Sequence, residues 1–158
     1  MESYSLEIFA DYNQILIHDE MDDEDLSESW DDEAYNQMVV VSKNTLAMST
    51  VRNMDVPVEI IVADDEPSYV ADEWDHIVQC SLNVSSGNLI VRGVSDYLPD
   101  AKKIAVTPGQ YTAWLLYGGL DTIDDDGMEG EDRYRIVLCR SELVIELAVL
   151  KYRCRPSV

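Results

Sequence analysis

The stretch HIVQCSLNVSSGNLIV, residues 76–91, alternates between apolar and polar side chains over residues 76–84 and then passes through a Ser-Ser-Gly-Asn turn into the apolar run Leu89-Ile90-Val91. An alternation with a period of two is typical of a strand that buries one face, and a glycine between two such runs favours a tight reversal of the chain. This stretch therefore predicts a β-hairpin with strands over residues 76–84 and 89–91.

Similar runs occur along the whole chain. They predict strands over residues 6–10, 15–17, 38–41, 46–51, 56–62, 103–106, 111–117 and 134–139, and a strand or a short helix over residues 143–152. Residues 38–51 predict a second hairpin, and Pro108 followed by Gly109 predicts a turn. Because Pro57 cannot donate a hydrogen bond, we expect it at the start of its strand or on a strand at a sheet edge.

Short strands with a turn every ~8–12 residues are typical of an all-β fold. We predict one domain over residues 1–158, an antiparallel β-sandwich with acidic loops and at most a short helix. The helix is expected within residues 28–35, with Ser29 as its N-cap, because the acidic residues that follow would lie at the positive end of the helix dipole.

The chain has a net charge of −21, from 32 acidic and 11 basic residues. Ten of the acidic residues lie in DEMDDEDLSESWDDE, residues 19–33, whereas residues 133–158 are net positive. So many like charges destabilise a compact state, so the chain keeps them either for solubility or to meet a basic partner, and we favour the basic partner. Direct binding to nucleic acid needs a basic surface, and the acidic body of this chain argues against it.

One tryptophan lies inside this acidic run, where it either fixes the loop to the core or anchors an interface. Carboxylates that recur along the chain could imitate the phosphates of a nucleic-acid backbone. We therefore predict a partner-binding surface made of Asp22, Asp23, Glu24, Asp25, Glu28, Trp30, Asp31 and Asp32, with a second patch at Asp124, Asp125 and Asp126.

The residues DTIDDDGMEGED, 121–132, contain the carboxylates and the glycine of a calcium loop. When Gly127 takes the sixth position of an EF-hand loop, however, Thr122 and Arg133 take the first and twelfth, where carboxylates are required. The spacing favours a solvated loop. A calcium-binding β module is the alternative function of another class.

Other chemical motifs give no site. His18 and His76 are isolated, and Cys80, Cys139 and Cys154 form no C-x-x-C pair, so we predict no zinc site, catalytic triad or disulfide framework. The sequence also lacks a phosphate-binding glycine loop and a nucleophile motif. We predict a protein without enzymatic activity or cofactor; a deep pocket with inward-facing acids would instead favour an enzyme.

The N-terminal residues lack the basic and apolar regions of a signal peptide, and the sequence contains no apolar run long enough to cross a membrane. These features predict a cytoplasmic protein.

Four short motifs follow one another in residues 4–118: Asp11-Tyr12-Asn13-Gln14-Ile15, Trp30-Asp31-Asp32-Glu33-Ala34, Arg52-Asn53, and Pro108-Gly109-Gln110-Tyr111 with Trp114 shortly after. In this order they resemble the competence protein J family, small inhibitors of a bacterial nuclease of DNA uptake. The resemblance implies a compact β-sandwich that binds a nuclease and blocks its nucleic-acid site. The acidity of this chain exceeds what the resemblance implies, which indicates a different target.

Charge and resemblance lead to one hypothesis, an acidic inhibitor of a nuclease or other nucleic-acid-handling protein that occludes the nucleic-acid site as a DNA mimic. Two alternatives belong to the same class, an immunity protein for a toxin nuclease and a phage-encoded DNA mimic that opposes host defence. In each case the partner is a basic protein, and neither nucleic acid nor a membrane is bound directly.

Overall fold

The computed structural model describes residues 1–22 and 24–153, which form two β-sheets packed face to face. The larger sheet has six strands: β1 (Glu2–Phe9), β5 (Asp55–Ala63), β6 (His76–Val84), β9 (Gly109–Gly118), β10 (Arg133–Arg140) and β11 (Ala148–Lys151). The smaller sheet has five: β2 (Gln14–Asp19), β3 (Val39–Val41), β4 (Thr45–Ser49), β7 (Asn88–Gly93) and β8 (Lys102–Ala105). The predicted all-β sandwich is confirmed.

The strands follow the order β1-β5-β10-β9-β6-β11 in the larger sheet and β3-β4-β2-β7-β8 in the smaller one. Neighbouring strands are antiparallel except β5 and β10, which run parallel, with Tyr134 opposite Val58. The larger sheet is therefore mixed, whereas the sequence predicted antiparallel pairing throughout.

Alternation along the strands builds the core between the sheets. In β9, Tyr111, Ala113, Leu115 and Tyr117 point into this core, while Trp114 and Leu116 belong to a second apolar cluster on the outer face of the larger sheet. Side chains of β2, β4 and β7 complete the core from the smaller sheet. Strands of the larger sheet thus carry apolar side chains on both faces, which explains why β9 is buried almost throughout.

The hairpin predicted over residues 76–91 is wrong, although both of its strands exist. β6 pairs with β9 and β11 in the larger sheet, whereas β7 pairs with β2 and β8 in the smaller one. The turn between them therefore carries the chain from one sheet to the other. The apolar faces of β6 and β7 meet in the same core, but the two strands do not pair through backbone hydrogen bonds. The turns around Asp11–Asn13 and Pro108 cross between the sheets in the same way.

Several local predictions are confirmed. β3 and β4 form the second predicted hairpin, with Val40 opposite Ala47, and the C-terminal run forms a strand, β11. Pro57 lies near the start of β5, opposite Glu7 of β1 and one residue before β10 begins to pair. Because β5 has a neighbour on each side, the alternative placement of Pro57 on an edge strand is wrong.

A short helix, α1 (Asp32–Gln37), follows the acidic run as predicted, but its N-cap is Asp31. The Asp31 side chain accepts a hydrogen bond of 2.8 Å from the backbone N–H of Ala34. Ser29, the predicted cap, lies instead in a 3-10 turn, Ser27–Ser29. An aspartate cap adds the favourable interaction of a negative charge with the helix dipole to the hydrogen bond.

Two cysteines of the described chain, Cys80 and Cys139, are free thiols. Cys80 lies in the core, where burial raises the pKa of its thiol to about 12. Cys154 lies outside the described residues. In residues 1–22 and 24–153, no helix is long and apolar enough to cross a bilayer.

Candidate functional site

The acidic segment is residues 19–33, and its described part, residues 19–22 and 24–33, lies across the outer face of the smaller sheet. Its Leu26 and Trp30, together with Ala34 of α1, pack against a cluster that includes Val40 and Ala47 of that sheet. Apolar side chains at spaced positions thus hold a strongly charged stretch on the protein and leave the intervening side chains facing outward.

Asp19, the first residue of the acidic segment, is buried and has a structural role. It accepts hydrogen bonds from the backbone N–H and the hydroxyl of Ser86, at 2.9 and 2.7 Å, and from the N–H of Met21 at 3.0 Å. Burial alone would raise the pKa of Asp19, but these hydrogen bonds outweigh it and lower the pKa below its usual value.

Three of the predicted binding carboxylates also accept hydrogen bonds within the segment or from the sheet beneath it. Asp22 accepts from the Thr45 hydroxyl at 2.7 Å, and Asp25 accepts from the N–H of Ser27 at 2.9 Å. Asp31 caps α1. These three carboxylates shape the segment as well as charging it.

Glu24, Glu28 and Asp32 are exposed and face outward. Asp23 lies outside the described residues. The predicted surface thus consists of two kinds of acid, those that hold the segment in place and those that present their charge to solvent.

Trp30 is half-buried on the smaller sheet, and its ring centroid lies 5.1 Å from that of Tyr35. The indole N–H is buried and has no hydrogen-bond partner among the described residues. Trp30 therefore fixes the segment to the protein. Tyr35, which is 55% exposed, extends this aromatic surface outward, and it is not among the residues predicted from the sequence.

A histidine–arginine contact lies on the same face of the smaller sheet. The buried His18 donates from Nδ1 to the carbonyl of Asp19 at 2.7 Å and accepts at Nε2 from Arg92 Nε at 3.0 Å, an arrangement that requires a neutral ring. Burial and the neighbouring charge of Arg92 both lower the pKa of His18, while Asp22 acts in the opposite sense. Arg92 also lines a pocket of about 250 Å³ beside Glu24 and Asp25.

The acidic loop, residues 121–132, is held by its own backbone. Asp124 accepts hydrogen bonds from the N–H groups of Met128 and Glu129 at 3.1 and 3.2 Å, and Asp126 accepts from Met128 at 3.0 Å. A side-chain hydrogen bond with Asp126, followed by the bond from Glu129, lowers the pKa of Asp124. Asp125 is exposed.

These carboxylates do not converge on a cation site. Across the described residues, no group of three or more His, Cys, Asp or Glu side chains is placed to hold a metal ion. The loop uses Asp124 and Asp126 to organise its own turns.

A buried network that no local sequence pattern predicts closes the acidic loop. Asp132, whose side chain is fully buried, accepts from Arg52 Nε at 2.6 Å and from the Tyr134 hydroxyl at 2.8 Å. The Tyr134 oxygen accepts in turn from the N–H of Val51 at 3.0 Å. This network joins the loop to the connection between β4 and β5.

Gly119 precedes the acidic loop with a φ of +65°, and a Cβ at this position would overlap the Glu131 carbonyl. The left-handed backbone and the lack of space both require glycine there. Gly119 and the Arg52–Asp132 pair thus fix the two ends of the loop.

The end of α1 and the start of the acidic loop lie at the same end of the sandwich. The carbonyl of Met38, just after α1, accepts a hydrogen bond from the Tyr117 hydroxyl at 2.7 Å. Leu120, just before the loop, donates its N–H to Asp75 at 2.8 Å. Asp75 directly precedes His76, the residue opposite Tyr117 in the larger sheet. Asp22, by contrast, contacts the opposite end of the smaller sheet at Thr45. The structure therefore brings α1 near the loop and places Asp22 away from both.

No family model matches the sequence, and no curated protein matches it. The structure, however, is similar to that of ComJ from Bacillus subtilis, an inhibitor of the DNA degrading activity of NucA, with a TM-score of 0.70 and 13% sequence identity. The match covers 89% of this chain and 98% of ComJ. This chain has the ComJ fold.

A second solved structure, described as crocagin biosynthetic gene J, matches the ComJ fold of this chain with a TM-score of 0.55 and 16% identity, over 88% of this chain and 98% of that one. The resemblance to the competence protein J family is thus confirmed as a likeness of fold. Three residues that carried it serve the fold directly: Asp31 caps α1, Arg52 pairs with Asp132, and Tyr111 lies in the core.

Proposed function

We propose that this protein inhibits a nuclease by binding it and covering its nucleic-acid site. The observation that carries the proposal is the likeness to ComJ, a nuclease inhibitor, over 89% of this chain and 98% of ComJ. A likeness that spans nearly all of both chains supports a shared use of the whole sandwich, a binding role that needs neither a catalytic group nor a cofactor.

The acidic segment supplies the contact surface in this proposal. Glu24, Glu28 and Asp32 project from a backbone that Leu26 and Trp30 hold on the sheet, so their charges are presented without a large cost in ordering the chain. Such a fixed array of carboxylates suits a basic site that normally binds phosphates. Complementary charge accelerates association and makes it sensitive to salt.

An aromatic side chain beside these carboxylates supplies contact that charge alone does not. Tyr35 is exposed next to Trp30, and tyrosine is enriched among the residues that dominate binding energies. On the same end of the sandwich, the acidic loop with Asp124, Asp125 and Asp126 forms the second patch of the proposed surface. The net charge of −21 favours a basic nuclease as the target and DNA mimicry as the mode of inhibition.

The test combines capture with an activity assay. Tagged protein is incubated with a native lysate, washed at low and then moderate salt, and the eluted proteins are identified; each recovered nuclease, and purified NucA, is then assayed on DNA with increasing amounts of the inhibitor. We expect DNA degradation to stop near a stoichiometric ratio and to resume as salt rises.

The test variant for this assay carries Glu24→Gln, Glu28→Gln and Asp32→Asn. Its matched control carries Glu2→Gln, Glu7→Gln and Asp55→Asn on the larger sheet. All six acids are exposed, and both variants lose the same charge. The first variant should inhibit more weakly than the second. The proposal fails if no nuclease is retained, or if a retained nuclease degrades DNA at an unchanged rate.

A further inference from the structure

The outer face of the larger sheet carries apolar side chains where a sandwich usually meets solvent. Ile77, Trp114, Leu116 and Val137 form a buried cluster on this face, with Ile61 packed beside it. The chain covers this cluster in part with the acidic strap, which we define as residues 64–75 (DDEPSYVADEWD). Trp74 of the strap packs into the cluster and contributes to its cover.

The acidic strap leaves two open pockets on this face. The first, of about 290 Å³, has a floor that includes Ile61, Ala63 and Val137, with Tyr69 of the strap at its side. The second, of about 360 Å³, is lined by Trp114, Cys139, Leu143 and Ile145, among others. Glu66 lines both pockets, so the two recesses are neighbours on this face, and we refer to them together as the groove.

The rim of the groove is negative. Asp64, Asp65 and Glu66 all line the first recess, and Glu66 is joined by Glu146 at the second. At the second recess, burial raises the pKa of the Cys139 thiol, and the charges of Asp65, Glu66 and Asp64 raise it further.

The cations at the first recess are already paired. Arg135 forms an ion pair with Glu59, and the Met1 amino group lies 3.5 Å from the Asp64 carboxylate. Among the described residues, Asp65 and Glu66 have no such ion pair, and the second recess is lined by one cation, Arg140, and by two carboxylates, Glu66 and Glu146. The groove thus combines apolar recesses with an excess of negative charge.

We propose that this groove binds an extended segment of a partner protein in which aromatic or aliphatic side chains alternate with lysine or arginine. In an extended chain the side chains of residues i and i+2 point the same way, so two apolar side chains can enter neighbouring recesses. The lysine or arginine between them leaves on the opposite side of the extended segment, and its long, flexible side chain brings the charge back to the carboxylates of the rim. The surface lies on the larger sheet, and this proposal does not depend on the nuclease inhibition assigned to the smaller one.

The size and the arrangement of the two recesses favour a protein segment over a small molecule as the occupant. Each recess is at or near the lower end of the volumes that ligand pockets occupy, roughly 300–1,000 Å³, and the two lie side by side along an open groove. Side chains of one segment fill separate recesses of this size, as occurs when peptides dock in extended form.

The test uses the synthetic peptide acetyl-Lys-Trp-Lys-Leu-Lys-amide and the intact protein, with binding measured by calorimetry and by shifts of methyl resonances. The peptide acetyl-Lys-Ser-Lys-Ser-Lys-amide has the same charge without the apolar side chains. We expect the first peptide to bind at least about tenfold more tightly, since burial of one large apolar side chain supplies that factor. The shifted methyl groups should include those of Ile61 and Val137.

Two variants locate the site. Ala63→Met fills the first recess and should weaken binding of the Trp-Leu peptide about tenfold. Asp65→Asn with Glu66→Gln should weaken it severalfold, whereas Glu24→Gln with Glu28→Gln, an equal change of charge on the acidic segment, should not. Far-UV circular dichroism verifies that each variant is folded, and the surface pair tests the rim even if Ala63→Met does not fold.

The proposal is overturned if the Trp-Leu peptide does not bind, if the serine peptide binds equally well, or if the two charge variants weaken binding to the same extent. Nuclease inhibition by the Asp65→Asn, Glu66→Gln protein should equal that of the unaltered protein. The two proposals therefore succeed or fail separately.

Discussion

The acidic segment and the acidic loop have similar compositions but are held in different ways. Leu26 and Trp30 fix the segment to the smaller sheet by apolar contact, and its carboxylates add hydrogen bonds at the edges of that contact. The loop is fixed at its ends by Gly119 and by the buried carboxylate of Asp132, and between them by hydrogen bonds from its own backbone.

The difference shows that acids close together in sequence divide into structural and surface groups. Asp132 and Asp125 are seven positions apart in the same loop, yet one is buried in an ion pair and the other is exposed. The number of carboxylates in a stretch therefore does not measure the charge that it offers to a partner. Substitutions that separate the two groups test this conclusion.

Asp132→Asn should have the largest effect on the loop. Loss of the carboxylate leaves the largely buried guanidinium of Arg52 without its counter-charge, and breaking a buried pair in this way costs about 3–5 kcal/mol. Urea unfolding followed by tryptophan fluorescence measures the change. Asp125→Asn removes the same charge from the same loop and should alter the free energy of unfolding by less than about 0.5 kcal/mol; equal losses in the two variants would contradict the assignment.

Leu26→Ala should weaken the hold of the acidic segment. Leu26 is 8% exposed, and its truncation should cost about 2 kcal/mol, the lower end of the range for leucine because the site lies near the surface. Limited proteolysis should then cut within residues 19–33 more rapidly than in the unaltered protein. Glu28→Ala, two positions away and exposed, serves as the control, and faster cutting in that variant would show that charge rather than apolar contact holds the segment.

His18 should make the smaller sheet sensitive to acid. Because its folded pKa lies below the usual 6.5, the unfolded chain binds the proton first as pH falls. The contribution of His18 to stability is therefore fully present above about pH 6.5 and declines below it as the pH falls toward the folded pKa.

The measurement is the difference in free energy of unfolding between the unaltered protein and His18→Gln, taken from pH 8 down to pH 5. The numerous carboxylates titrate in both proteins, so their contribution cancels in the difference. We expect the difference to shrink as pH falls. A difference that stays constant over this range would show that the proton does not discriminate between the folded and unfolded states at His18.

The triple variant Glu24→Gln, Glu28→Gln and Asp32→Asn should have the smallest effect on the fold. These side chains are exposed, so the free energy of unfolding should change by less than about 0.5 kcal/mol. Its association with a captured nuclease should nevertheless slow, with a weaker dependence on salt. Stopped-flow mixing at several ionic strengths measures both quantities, and an unchanged rate would remove these carboxylates from the contact.

Much of the secondary structure could be predicted from the sequence, because one buried face leaves a period of two in each strand. Strand pairing could be predicted only in part: the β3–β4 hairpin was, and the pairing of β6 and β7 was not. The run from His76 to Val91 contains two strands and a turn, but the same pattern suits a hairpin and a crossing between sheets, since both bury the apolar faces. Likewise, nothing local marks β5 and β10 as a parallel pair.

For the candidate site, the sequence predicted which stretches are acidic but not how their side chains are arranged. The acidic run identified the segment and Trp30, yet the sequence did not distinguish Asp31, a cap, from Asp32, which faces solvent. Arg52 and Asp132 are 80 positions apart, and no local signal joins them. Long-range pairs of this kind depend on the completed fold.

The position of β10 also constrains the order in which the chain can fold during its synthesis. β10 lies between β5 and β9, although it follows both in sequence, so a nascent chain that ends before residue 133 has two open edges in the middle of its larger sheet. Open edges invite pairing with other chains, and folding that waits for distant segments prolongs the exposure. Residues 1–132 have a net charge of −25, and repulsion between like-charged chains opposes such pairing before the last strands are in place.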